Sequence, residues 1–183
     1  MTAKRHIGRI AAALLTASLL TACGGSEDEP LVKPTTDAPT TTAPPVDDDG
    51  FTPEQRELAD QVTAYFTGVV GRGSSPVDPI IRDLVTPDLL AQVSASEKKS
   101  VDDAGLQYLG EAQIDVTEVT ITGDTATVEG CNNSSKALLV KKGQKKAGAG
   151  SQLLGYSTMT VGLVREDDRW LIDSPRLETV NRC

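Results

Sequence analysis

The sequence predicts an α+β domain in which N-terminal helices pack on a curved antiparallel sheet. Three observations carry this expectation. Before Gly105, apolar residues recur at helical spacing, and three start signatures pair a capping residue with a proline. After Gly105, apolar and polar residues alternate with period two. Thr122-Gly123-Asp124 and Glu166-Asp167-Asp168 then turn the alternating segments back on themselves. Helices first and strands second segregate the helices to one face of an antiparallel sheet.

The first helix has the clearest start. Thr52 is a good N-cap, Pro53 suits the first helical position, and Gln55 completes a Thr-x-x-Gln capping box. Leu58, Val62, Tyr65, Phe66, Val69 and Val70 then give it one apolar face, and Gly71 and Gly73 stop it. Asp78-Pro79 opens a short helix with Ile80, Ile81, Leu84 and Val85. Thr86-Pro87 opens another with Leu89, Leu90 and Val93, fading through Lys98 and Lys99. Asp102-Asp103-Ala104-Gly105 reads as a break.

In the strand region, Ile114 and Val116 alternate with polar residues, and Val119 and Ile121 continue in the opposite phase. The slip predicts a bulge or strong bend near Thr117-Glu118. Ala126 and Val128 share a face, with Cys131 on the other. Residues 137–140 form a short strand, and residues 153–165 a long one with Met159, Val161 and Leu163 on one face. Residues 169–180 return with Trp170 and Ile172; Pro175 either demotes the middle of that strand or marks a bulge.

The N-terminus is of a different kind. Lys4, Arg5 and Arg9 precede an apolar run over residues 10–20, too short to span a bilayer, which takes about 20 apolar residues. Leu20-Thr21-Ala22-Cys23 follows and resembles the lipobox of bacterial lipoproteins. The resemblance implies cleavage before Cys23, diacylglycerol on its sulfur, and a protein held at the outer face of the cytoplasmic membrane. Two acyl chains give stable attachment where one gives reversible binding. Residues 1–22 are then the signal peptide. Residues 23–50 are the lipidated Cys and a disordered tether rich in Thr, Pro and Asp, with a mean span of roughly 30 Å as a flexible coil. The tether is a plain spacer or a site of O-glycosylation. Residues 51–183 form one domain.

Charge and composition exclude several function classes. Three of the 18 basic residues precede Cys23 and all 26 acidic residues follow it, so the mature chain carries 15 basic residues and a net charge of −11. Such a chain lacks the cationic surface that nucleic acid requires. The sole histidine, His6, leaves with the signal. Its loss removes Ser-His-Asp and Cys-His catalysis and His-containing zinc sites. The acid runs at residues 47–49 and 167–168 lack calcium-loop spacing. No cofactor or metal is expected.

Cys131 and Cys183 remain after Cys23 takes lipid. An even pair in an oxidising compartment defaults to a disulfide; the alternative is two unrelated thiols. Nothing resembles Cys-x-x-Cys, so the pair reads as structural.

The whole pattern of three helices, a long bent sheet and a closing hairpin ending in Arg169-Trp170-Leu171-Ile172 resembles the cone fold of nuclear transport factor 2-like proteins. Small secreted lipoproteins of actinobacteria are similar in the Gly123-Asp124-Thr125-Ala126-Thr127-Val128 hairpin, Cys131 and Cys183. The resemblance implies a pocket between the sheet and the first helix, in which related isomerases and cyclases use an acid. The candidate acids are Asp115, Glu118 and Glu129, with Tyr65, Tyr108 and Tyr156 as phenols. The plainer reading puts these acids on the solvent face of alternating strands. A second candidate is the loop with Lys141, Lys142, Lys145 and Lys146, which would contact an anionic partner or simply block edge pairing.

The fold hosts enzymes, binders and scaffolds alike, so it does not choose among them. The sequence favours a non-catalytic lipoprotein that binds a small apolar ligand or an envelope protein. The alternative is a pocket-carboxylate enzyme of the isomerase, cyclase or hydratase type acting on a hydrophobic substrate. The lack of histidine weighs against the enzyme, although one carboxylate can serve as a base. A homodimer through the sheet is a further arrangement open to this fold.

Overall fold

A computed structural model of the chain describes residues 46–183. The signal segment, Cys23 and the tether through residue 45 lie outside the described residues. The tether's last residues behave differently from expectation, because the acidic run finds a cationic partner one turn into the first helix. Asp47 Oδ1 accepts from the Asp49 and Phe51 N–H groups at 3.0 and 2.9 Å. Arg56 reaches back to Asp47 at 2.7 Å and Asp49 at 2.5 Å, and its guanidinium lies 4.9 Å from the Phe51 ring centroid. Asp47 and Asp49 therefore pack with the domain, although they precede the expected boundary at Phe51.

Helix α1 spans Pro53–Gly71 and starts with the predicted capping box. Gln55 Nε2 also donates to the Val119 carbonyl at 2.8 Å, which ties the helix start to the sheet. Helix α2 (Asp78–Ile81) is a single turn, and α3 (Pro87–Glu97) is capped by Thr86. The chain does not simply fade after α3. It widens into a π turn over Lys98–Asp102, closed by the Asp103 N–H donating to the Lys98 carbonyl at 2.8 Å.

Five antiparallel strands follow: β1 Leu106–Leu109, β2 Gln113–Thr122, β3 Thr125–Lys141, β4 Gln152–Glu166 and β5 Arg169–Val180. Strand β3 is the axis of the sheet. β2 pairs with its first half and β1 with its last four residues, both along one edge; β4 lines the other edge, and β5 pairs with β4. The predicted bulge lies at Thr117, between the pairs Val116–Gly130 and Glu118–Glu129. Both predicted hairpins form. Gly123 has φ +59°, and Asp167 and Asp168 have φ +48° and +61°, the two positive values that a tight hairpin turn demands. A second bulge leaves Asp173 unpaired, and Pro175 follows it on the edge strand, where no ladder donor is needed.

The core lies between α1 and one face of the sheet. Leu58, Val62, Ile81, Val128, Val161, Leu163 and Ile172 are fully buried there. Trp170 is buried too, its indole N–H donating to Glu54 at the start of α1, while Arg165 stacks on its ring. The Cys131–Cys183 disulfide is formed, with the two Cα atoms 5.9 Å apart, and it fastens the C-terminus to the middle of β3. Among the described residues, no helix is long and apolar enough to cross a membrane.

Candidate functional site

One half-open cavity of about 330 Å³ separates the end of α1 from the sheet. Its first wall is the last turns of α1, with Tyr65, Phe66, Val69 and Val70. Val93, Ser96 and Glu97 of α3 and Tyr108 of β1 form the second. The floor is the helix-facing side of β3 and β4. Strand alternation puts Asn132, Ser134, Gly155 and Ser157 on the same face as Val128, Met159 and Val161, so this face changes from apolar to polar toward the mouth.

An ionic cluster closes one side. Arg72, whose side chain is 0% exposed, donates to Glu97 at 2.9 Å, to Asp102 at 3.1 Å and to the Ser75 carbonyl at 2.5 Å. The π turn explains how one guanidinium reaches both acids. Its i→i+5 bonding brings residues five apart round to one side, whereas an ordinary α-helix would splay Glu97 and Asp102 apart. Tyr108 completes the cluster: its hydroxyl donates to the Glu97 carboxylate, 3.1 Å from each oxygen, and its ring lies 5.3 Å from the Arg72 guanidinium carbon. Burial alone would lower the Arg72 pKa, but the bonds to Glu97 and Asp102 outweigh it and raise the value. Burial, and then the charge of Glu97, push the Tyr65 phenol up to about 12. The Tyr108 phenol is also raised, by burial, then by the charge of Glu97 and the hydrogen bond to it.

The structure places the candidate acids away from this cavity. Asp115, Glu118 and Glu129 are exposed and none lines it, although Asp115 borders a second cleft between α1 and β2 with Arg56, Asp60 and Thr63. Glu118 stands opposite Glu129, and Asp115 opposite Cys131, because the apolar residues Val116, Val119 and Val128 take the inward positions on these strands. The inward carboxylate is Glu97, which sequence reasoning missed. Its one local signal is the i,i+4 spacing from Val93, which places both on one helix face. Of the three phenols, Tyr65 and Tyr108 reach the cavity and Tyr156 does not.

Lys141 ends β3, and Lys142, Lys145 and Lys146 lie in the loop to β4; all four are exposed, and among the described residues none forms an ion pair. The loop is braced by backbone contacts. Gln107 accepts from the Gly143 N–H at 3.0 Å and donates to the Gln144 carbonyl at 2.9 Å.

No family model and no curated protein matches the chain. Among solved structures, the chain is similar to the intermembrane space region of the chloroplast protein ARC6, at 15% identity and a TM-score of 0.51, covering 69% of this chain and 97% of that one. That likeness shows a shared fold and nothing of activity. An NTF-2-like protein of unknown function from Shewanella oneidensis MR-1 is also similar, at 15% identity and a TM-score of 0.41, covering 66% of this chain and 98% of that one. Helices packed against one antiparallel sheet make the domain α+β.

Proposed function

We propose that the chain is an extracytoplasmic lipoprotein, anchored through Cys23 at the outer face of the cytoplasmic membrane, whose nuclear transport factor 2-like cone binds a small apolar ligand without transforming it. The observation that carries the binding reading is the cavity itself. Its volume of about 330 Å³ falls within the usual range for small-molecule sites. Aromatic and aliphatic side chains wall it, and a few polar groups sit on its floor. The same geometry weighs against the isomerase, cyclase or hydratase alternative. A general base needs a lone pair aimed at the substrate. Glu97 already engages Tyr108 with both oxygens and Arg72 with one.

An envelope protein or a second copy of the chain would have to use another surface. The sheet face turned away from the core carries Asp115, Glu118, Glu129 and Glu178, and such charge is depleted from the centre of stable interfaces. Mass spectrometry of small molecules co-purified with the native protein tests the ligand-binding reading. A discrete apolar compound in near-stoichiometric amount is expected; a protein recovered clean from its own host would count against a carrier.

A further inference from the structure

The polar groups facing the cavity are not equivalent, and their inequality bears on what enters. Tyr65 is only 5% exposed and borders the cavity. Its hydroxyl makes no hydrogen bond to another of the described residues and is not among their sealed, unpaired atoms, so it opens on the cavity. An apolar occupant would strip this donor of water and leave it unpaired, whereas an occupant that accepts from it would not. Asn132, 7% exposed, borders the same cavity. Its Oδ1 accepts from the Ser134 hydroxyl at 2.7 Å, which leaves the amide N–H groups as the end available to a ligand.

The charge exposed to the cavity has the opposite sense. Glu97 borders it, whereas Arg72 does not. The guanidinium is spent on Glu97, Asp102 and the Ser75 carbonyl, so one cation faces two carboxylates and the cluster is net negative. An incoming carboxylate would meet like charge with no free cation to offset it. An incoming ammonium has no lone pair with which to accept from the Tyr65 hydroxyl or the Asn132 amide. A neutral acceptor meets neither obstacle. The volume of about 330 Å³ suits one medium-length chain or a small ring system and is too small to enclose a whole diacyl lipid.

Resting on the ligand-binding reading above, we propose that the cavity selects an uncharged amphiphile. Its apolar body lies along α1, its hydroxyl or carbonyl head accepts from Tyr65 and Asn132, and the matching carboxylate is rejected.

The test is displacement of the neutral fluorophore N-phenyl-1-naphthylamine from the full-length chain carrying Cys23→Ala, near neutral pH, by n-decanol, decanoate and decylammonium. Decanol is expected to displace the dye at least about tenfold more tightly than either ion, a difference well outside titration error. Tyr65→Phe is expected to weaken decanol about threefold or more relative to the dye, as loss of one hydrogen bond predicts. Decanoate or decylammonium equal to decanol would overturn the selectivity and leave the binding site standing. A variant that loses dye and decanol in parallel would also overturn it, assigning Tyr65 to packing alone. Failure of the dye and of all three competitors to bind would remove the ligand site itself, and the selectivity with it.

Discussion

Arg72 and Glu97 form an ion pair at 2.9 Å in which one partner is sealed from solvent and the other borders the cavity, with side chains 0% and 16% exposed. The pair joins the end of α1 to the end of α3, so it fixes the width of the cavity as well as its charge. Removing one member of a buried pair leaves the other uncompensated, at about 3–5 kcal/mol. Asp102 still holds Arg72 when Glu97 is lost, so Glu97→Ala should destabilise toward the lower figure, about 3 kcal/mol. Urea unfolding with linear extrapolation measures this. A loss below about 1 kcal/mol would place the pair among surface contacts.

Alkaline stability follows from the two raised phenols. In the unfolded chain a tyrosine ionises near pH 10, whereas Tyr65 in the folded domain is pushed up to about 12. The folded state keeps a proton that the unfolded state releases. The contribution is therefore fully present below pH 10 and is lost as the pH rises toward 12. Tyr108 acts in the same direction. Tyr65→Phe should flatten the fall in unfolding free energy across that window, and identical slopes for the two proteins would show that Tyr65 ionises alike in both states.

The disulfide closes 52 residues of sequence. Chain entropy assigns such a loop about 4 kcal/mol, and the bridge spans most of the sheet-forming half of the domain. Cys183→Ser should lower the unfolding free energy toward that amount and free the last residues after β5 to exchange amide protons quickly. Non-reducing peptide mapping of the exported protein should link Cys131 to Cys183, and two free thiols would remove the premise.

Gly130 marks the tightest place in the sheet. It faces Val116 beside the bulge, and a Cβ there would lie 3.0 Å from the Val116 Cα, 2.9 Å from the Met159 methyl, and against the Asp115 carbonyl. Two of those atoms are backbone, which cannot rotate away. Gly130→Ala should destabilise by about 1–3 kcal/mol in thermal or urea unfolding. Gly123→Ala has open space but a left-handed φ, and should lose about 1 kcal/mol through backbone strain instead.

The anchor reading makes a cellular prediction. Cys23→Ala should move the protein from the membrane fraction to the soluble exported fraction, and continued tight membrane association would argue for some other attachment.

Elements written in local chemistry were legible in the sequence. The capping box at Thr52 and Gln55, the Gly123 turn and the bulge at Thr117 each depend on a few adjacent residues, and all three form. Strand β1 was not legible. Its four residues are all half-buried, so they show no alternation, and the strand exists because β3 runs on to offer Leu138, Leu139, Val140 and Lys141 as partners. The polar stretch Asn132-Asn133-Ser134-Ser135 likewise splits one long strand into two apparent pieces, although Asn132 and Ser134 are part of the cavity floor. Alternation on β2 and β3 separates two faces but does not place a pocket, which is how Asp115, Glu118 and Glu129 came to be considered for it. Glu97 acquires its role from Arg72, 25 positions earlier, and from a π turn that no simple periodicity announces.

The chain enters the domain at Asp47, beside the first turn of α1, and the cavity lies against the last turns of the same helix. A helix of 19 residues is about 28 Å long, so one rigid rod separates the two events. Under the tethered, ligand-binding reading proposed above, tension applied where the polypeptide arrives would be borne at the Asp47–Arg56 end, and loading or unloading of a ligand would take place at the other. Mooring and exchange would then be mechanically independent: the protein would not have to let go of the one to carry out the other.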